Sequence, residues 1–250
     1  LNTTVLNSAL LNPAADLRIG CAGWSLAREH WPAFGEEGSH LQRYASRFNS
    51  VEINSSFYRP HRPQTYARWA QSVPEGFRFC VKVPKLITHE QRLHGCEALL
   101  DDFLAQCTEL GEKLGCLLIQ LPPSLQFDPG LAERFFGMVR MRFSGGLAFE
   151  PRHQSWDAAE LLLVEHQVAR VAADPSPISG GEVPAGWQGL RYWRLHGSPR
   201  IYHSAYGREW LSALAVQIAS NPEPAWCIFD NTASGAAVGD ALTLGSLLQL

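Results

Sequence analysis

Eight short runs of strand-forming residues recur along this chain, and most are followed by a stretch with helical spacing. The runs are 18–22, 50–54, 77–83, 117–121, 147–151, 169–173, 190–195 and 225–229. Leu41, Tyr44, Ala45 and Phe48 make the helical stripe after the first. Leu99, Leu100, Phe103, Leu104, Cys107 and Leu110 make one after the third, and Leu211, Leu214, Ala215 and Ile218 one after the seventh. Apolar residues at such intervals share one helix face, whereas the strand runs alternate with a period of two. Strands that alternate with helices pair in parallel, and eight such units in 250 residues predict a single (β/α)8 barrel of the TIM type. A doubly wound open sheet is the competing fold. It calls for a glycine-rich nucleotide turn after the first strand, and Gly20-Cys21-Ala22-Gly23-Trp24 lacks that order.

Local signals refine the outline. Asp157 and Glu160 have the spacing of a capping box before the helix after strand five, and Gly115 stands where a C-cap glycine would end the helix before strand four. Three prolines and four glycines within 175–189 predict that a loop replaces the sixth helix. Residues 1–17 lack the basic start of a secretory signal and read as an N-terminal leader, with 18–250 as one barrel domain.

Strand parity locates a site. In the third run Phe77, Phe79, Val81 and Val83 form the helix-facing side, which sends Lys82 inward. In the second, Val51 and Ile53 face the helices, leaving Glu52 and Asn54 toward the axis. The same argument directs Gln120, Glu150, Arg152, Asp174, Arg194 and His196 inward, all at the C-terminal ends of strands, where barrels of this class carry their active sites. Charges there must be paired or used, since an unpaired buried charge is costly. Lys82, Arg152 and Arg194 are expected to face Glu52, Glu150 and Asp174. The loops add Trp24, Trp31, Ser56, Tyr58, His89, Trp156, Tyr202 and Tyr206, aromatic walls and hydroxyls suited to a small-molecule pocket. The loop from Asn231 to Gly235, with His196-Gly197-Ser198, could form an anion cup at a helix N-terminus.

These motifs together resemble the YecE-like family, also called DUF72. They are Gly20-x-x-Gly23-Trp24, the run from Val51 through Glu52, Asn54 and Ser56 to Tyr58, Phe79-x-Val81-Lys82, and Leu114-Gly115 with Gln120-Leu121-Pro122-Pro123. Phe149-Glu150-Pro151-Arg152-His153-x-Ser155-Trp156 and Arg194-Leu195-His196-Gly197 complete the set, in order over nearly the whole chain. The resemblance implies a TIM-like barrel and supplies no reaction, the family's function being unassigned. Two departures are visible: Phe229-Asp230-Asn231 where the family tends to Phe-Asn-Asn, and Asp240-Ala241 where it favours Asn-Ala. Both add negative character beside the proposed cup.

The leading functional reading is an enzyme that works by acid–base chemistry on an anionic small molecule carrying phosphate or carboxylate. Glu52, Glu150 and His196 are its candidate catalytic groups. Asn54, Tyr58, Lys82, Gln120, Arg152, Trp156, Asp174, Arg194 and Asn231 are its candidate binding groups, with Arg194 expected to serve the ligand more than the fold. The alternatives are a metal-dependent phosphodiester hydrolase acting on nucleic acid, a glycoside hydrolase using Glu52 and Glu150, and a non-catalytic ligand-binding barrel. A net charge of −3 gives no electrostatic case for nucleic acid or an anionic membrane. None of the six cysteines forms a Cys-x-x-Cys pair, so no cofactor, metal or disulfide is expected and the chain reads as cytoplasmic.

Overall fold

A computed structural model describes residues 16–250. Ten strands and seven α-helices follow one another: β1 Leu17–Cys21, α1 His40–Tyr44, β2 Ser50–Ile53, α2 Pro63–Gln71, β3 Arg78–Lys82, α3 Glu97–Cys107 and β4 Leu114–Gln120. Then come α4 Pro129–Arg140, β5 Gly146–Glu150, α5 Glu160–Glu165, β6 Ala169–Arg170, β7 Ala172–Asp174 and β8 Ala185–Gly186. The chain ends with β9 Arg191–Leu195, α6 Arg208–Ala219, β10 Ala225–Phe229 and α7 Ala236–Leu247. The expected α/β architecture with parallel strands is present. One sheet has the order β2-β3-β4-β5-β6-β8 and the other β1-β10-β9-β7, and every pairing is parallel except β6 with β8.

The period of two divides the apolar residues into two cores. Val51, Ile53, Phe79, Val81, Leu117, Ile119, Phe149 and Phe229 pack on the side of the helices. Their neighbours Cys80, Cys116, Leu118, Ala148, Tyr192, Trp226 and Ile228 form a separate cluster on the opposite strand faces. A strand buried on both faces needs helices on one side and other strands on the other, which is why these runs contain so few polar residues. The helices bury the stripes expected of them: Leu100, Phe103, Leu104 and Cys107 on α3, and Leu211, Leu214, Ala215 and Ile218 on α6. Ser39 and Gln42 form a reciprocal capping box that starts α1, and the Asp128 side chain accepts the Leu131 N–H at the start of α4.

The sheets meet at two places. Ala22, just after β1, bridges in parallel to Glu52, and the Gly23 N–H donates to the Glu52 carbonyl at 2.9 Å. At the other end a single residue, Val171, separates β6 from β7. Its N–H still donates to the Phe149 carbonyl at 2.8 Å, so one continuous run leaves the first sheet and enters the second. Between Asp174 and Arg191 there is no helix, and this segment holds only β8.

Some local expectations are corrected. Gly115 lies inside β4, where a Cβ would come 2.7 Å from the Trp226 ring; its smallness serves packing, not a cap. The chain instead breaks out of helical geometry at Gly111, whose φ is 58°. Asp157 and Glu160 form no capping box: Asp157 bonds the Gln154 side chain and the Glu160 carboxylate accepts the Gly186 N–H at 2.6 Å. Of the leader expected over 1–17, Leu17 is the first residue of β1, and residues 1–15 lie outside the described residues.

Gly20 marks the closest approach between β1 and β2. A Cβ there would collide with the Ser50 backbone carbonyl, which rotamer adjustment cannot move. Gly20→Ala is expected to cost about 1–3 kcal/mol, the range for overpacking, read as a lower urea midpoint with an unchanged m-value. An unchanged midpoint would show that the two strands are not held this close.

Candidate functional site

Three strand ends place ionisable side chains on the same interior side, and β2 and β9 add three more. Lys82 closes β3, Glu150 closes β5, Asp230 follows β10, Glu52 lies in β2, and Arg194 with His196 come from β9 and the residue after it. All six are buried.

Arg194, with no exposed surface, is the hub. Its Nε and Nη2 donate to the two Glu52 oxygens at 3.0 and 2.8 Å, in a fork that only a planar guanidinium can make. Nη2 also lies 2.9 Å from Asp230 Oδ2, and Nη1 donates to Glu150 Oε2 at 3.3 Å. Tyr192 adds a hydroxyl donated to Glu52 at 3.2 Å. Burial alone would lower the Arg194 pKa, but the charges of Asp230, Glu52 and Glu150 overcome it and raise it well above the ordinary value.

His196 is held between two carboxylates. Its Nε2 lies 2.8 Å from Glu150 Oε1 and its Nδ1 3.0 Å from Asp230 Oδ2. Ionised carboxylates only accept, so both ring nitrogens must donate and the ring is an imidazolium. Burial opposes this, yet the Glu150 charge and both hydrogen bonds raise the His196 pKa above its ordinary 6.5. Burial would likewise raise the two partners. The charges of His196 and Arg194 hold Glu150 well below 4.5, and Arg194 with His196 holds Asp230 below 3.8.

Lys82 differs from the other cations. Among the described residues it joins no ion pair and its ammonium makes no hydrogen bond, while lying 4.1 Å from the centroid of the Phe57 ring. Desolvation, reinforced by Arg194, pushes it down to about 8 against the pull of the carboxylates. Ser56 ties its backbone in place, donating to both the Ile53 and Lys82 carbonyls. Arg152 reaches in from the rim, half-buried, with Nη1 donating to Glu150 Oε1 at 3.1 Å.

The structure thus brings Glu52, Lys82, Glu150, Arg152, Arg194 and His196 together. Gln120 ends β4 in register with Glu150 and is half-buried, and Asn54 follows β2 with a buried Oδ1 that has no partner among the described residues. Tyr58 is 68% exposed on the loop beyond and takes no part in the cluster. Four assignments change. Arg194 spends its donors on carboxylates inside the protein, so its fork grips Glu52 and no ligand. Asp174 lies on the opposite strand face: Ala169 and Val171 belong to the interior cluster, so Asp174 falls with Ala172 on the helix-facing side. Trp156 is a core residue whose ring packs at a tilt against Phe149, centroids 4.8 Å apart, its indole N–H donating to the Leu125 carbonyl. Asn231 is turned to the Ser204 carbonyl and to Asp240. The Gly197 N–H is donated to the Tyr206 hydroxyl and the Ser234 hydroxyl to the His203 carbonyl, so these donors of the expected anion cup are engaged by neighbouring protein groups. Asp230, which the parity reading left out, takes the place assigned to Asp174. Extending the inward series Trp226, Ile228 by one more step reaches it.

A family model described as protein of unknown function DUF72 matches residues 18–250. The UPF0759 protein YecE of Escherichia coli K12 is 35% identical over 104 residues, covering 42% of this chain and 37% of YecE. The UPF0759 protein YunF of Bacillus subtilis is 32% identical over 111 residues, 42% of this chain and 39% of YunF. The matched segment therefore spans well under half of these relatives. The chain is similar in fold to a DUF72 family protein from Enterococcus faecalis, with a TM-score of 0.76 at 23% identity over 94% of this chain and 96% of that one. A DUF72 family protein from Thermotoga maritima gives 0.74 at 23% identity, over 94% and 100%.

Two outcomes are expected. Arg194→Lys keeps the charge but loses the fork and leaves buried carboxylates underpaired, at a cost of about 3–5 kcal/mol, the scale of a broken buried ion pair. Chemical denaturation without any ligand reads it, and a variant as stable as the parent would return Arg194 to ligand binding. The cluster also imposes a pH window. Carboxylates with depressed pKa stabilise fully above their ordinary 4.5 and lose that contribution as pH falls. His196, with a raised pKa, stabilises fully below 6.5 and loses its contribution as pH rises through the folded-state value. The cluster's stabilisation therefore peaks between these limits. The decline on the alkaline side should vanish in His196→Gln, and an identical slope in both proteins would mean His196 is not an imidazolium.

Proposed function

The chain belongs to DUF72, a family of unknown function, so its activity has to be read from its site, and we propose an enzyme that transfers protons on a small anionic molecule. The reading takes the two sheets as one (β/α)8 barrel. In support, Ala22 bridges to Glu52 at one junction, the run through Val171 joins the sheets at the other, and a second apolar cluster lies on the strand faces away from the helices. The ion cluster then occupies the C-terminal mouth, where barrels of this kind hold their chemistry.

Charge carries the proposal. Glu52, Glu150 and Asp230 supply three carboxylates, all engaged by Arg194 or His196. Arg194, Arg152, His196 and Lys82 supply four cations when protonated, leaving one positive charge in excess. That excess resides on Lys82, the member without an ion-pair partner. A buried cation in this state is unfavourable in the free protein and is relieved when an anion arrives. Lys82 and the half-buried Arg152 would receive the phosphate or carboxylate of the substrate. His196, whose two ring nitrogens are engaged by Glu150 and Asp230, would pass its proton to the substrate by way of the Glu150 carboxylate. Glu52 is locked by Arg194 and Tyr192 and acts as a structural counter-ion. In a metal-dependent hydrolase the same three carboxylates would have to surround a metal, and here they converge on the Arg194 guanidinium.

Lys82→Met is the test, because it removes the charge and keeps most of the chain length. The variant should be at least as stable as the parent without ligand, since an unpaired buried ammonium gives way to an apolar group. Inorganic phosphate or a small carboxylate at a hundred times its Kd should stabilise the parent by about 2.7 kcal/mol and leave the variant unmoved. An equal thermal shift in both proteins, or none in the parent with either anion, would overturn the proposal.

A further inference from the structure

The missing sixth helix leaves a hollow on the outside of β7 and β9. Elsewhere a helix covers the outer strand faces, but here the 175–190 loop and α6 stop short of one another. They enclose a cavity of about 390 Å³, within the range of small-molecule sites. Its walls include Asp174, Glu182, Val183, Trp193, Trp210 and Leu214, and no lysine or arginine lines it.

Three features of this lining point to a ligand. Asp174 and Glu182 join no ion pair among the described residues, so the cavity carries uncompensated negative charge. Trp193 is 2% exposed, and among the described residues its indole N–H has no hydrogen-bond partner; Asp174 Oδ2 is likewise buried without one. Such groups cost stability when left unsatisfied. Trp210 is 39% exposed, yet its ring is stacked on Tyr206 at 4.2 Å, so it presents a fixed aromatic face. A fixed aromatic face beside carboxylates is the chemistry that receives an organic cation.

We propose that this cavity is a second ligand site, separate from the mouth, that takes a small protonated amine with an apolar body. The ammonium N–H groups would donate to Asp174, with Glu182 supplying further negative charge at the entrance. The body would lie against Trp210, Val183 and Leu214.

Benzylamine is the probe, with benzyl alcohol as its neutral counterpart, titrated by calorimetry and by saturation-transfer NMR. The parent should bind benzylamine saturably and benzyl alcohol at least tenfold more weakly, with affinity falling as salt is added. Asp174→Asn and Trp210→Ala should each weaken benzylamine at least tenfold, and Glu182→Gln severalfold. Lys82→Met should leave this binding unchanged, which separates the site from the mouth. Thermal unfolding of each variant confirms that it is folded, and Trp210 and Glu182, being exposed, are the safest replacements. No saturable binding at millimolar benzylamine, equal binding of the alcohol, or affinity untouched by both Asp174→Asn and Trp210→Ala would overturn the proposal.

Discussion

One guanidinium holds opposite sides of this molecule together. Arg194 stands on β9 of the four-stranded sheet, while Glu52 and Glu150 stand on β2 and β5 of the six-stranded one. The ion pairs therefore run between sheets that share few backbone hydrogen bonds. Such contacts are poor sources of net stability, because each ion gives up its water before gaining its partner. Their effect is on geometry. With Nε and Nη2 both on Glu52 and Nη1 on Glu150, the guanidinium plane fixes the spacing of three strands at once. Any register error in one of them would leave a buried charge without a partner.

That arrangement divides the charged residues by role. Arg194 and Glu52 saturate each other, so neither has much to offer a ligand. His196 is oriented by two carboxylates and keeps its second proton. Lys82 receives no such support, and its ammonium lies over the Phe57 ring, 4.1 Å from the centroid. A cluster selected for stability alone would not contain it. Unfavourable groups that survive in an otherwise satisfied network are where function is to be sought.

The order of strands and helices was legible because both periods are strong. Phe79 and Val81 against Cys80 and Lys82, or Val51 and Ile53 against Glu52, leave one choice of inward face. The run 169–174 offers no such contrast. Ala169, Val171 and Ala173 on one face and Ala172 on the other are all small and apolar, so parity gave Asp174 the wrong side. Asp230 is less legible because the run 225–229 is apolar on both faces, so alternation there offers no contrast to point the next residue inward. Pairing is the harder limit. Sequence shows that Arg194 is charged and inward, but whether its donors meet protein or ligand depends on Glu52 and Glu150, 142 and 44 residues away. Trp156 failed for a similar reason, since a tryptophan in a polar loop looks the same whether it lines a pocket or plugs the core.

The break at Val171 connects these observations. Two short strands replace one long one there, and the loop that follows is too irregular to form a helix. The outer face of β7 is consequently left partly bare, exposing the cavity beside Trp210. The inner face of the neighbouring strand carries Arg194. Asp174 joins the two environments: its carboxylate borders the outer cavity, while its carbonyl accepts the His196 N–H at 2.8 Å and the Tyr206 hydroxyl at 3.2 Å. Tyr206 in turn stacks on Trp210, and its hydroxyl accepts the Gly197 N–H at 2.9 Å. The backbone that positions the imidazolium is thus the backbone that forms the cavity wall. A strand covered by a sixth helix would have secured the same position for His196 but closed the outer cavity, so the irregular segment is what allows one strand to serve two polar environments on its opposite faces.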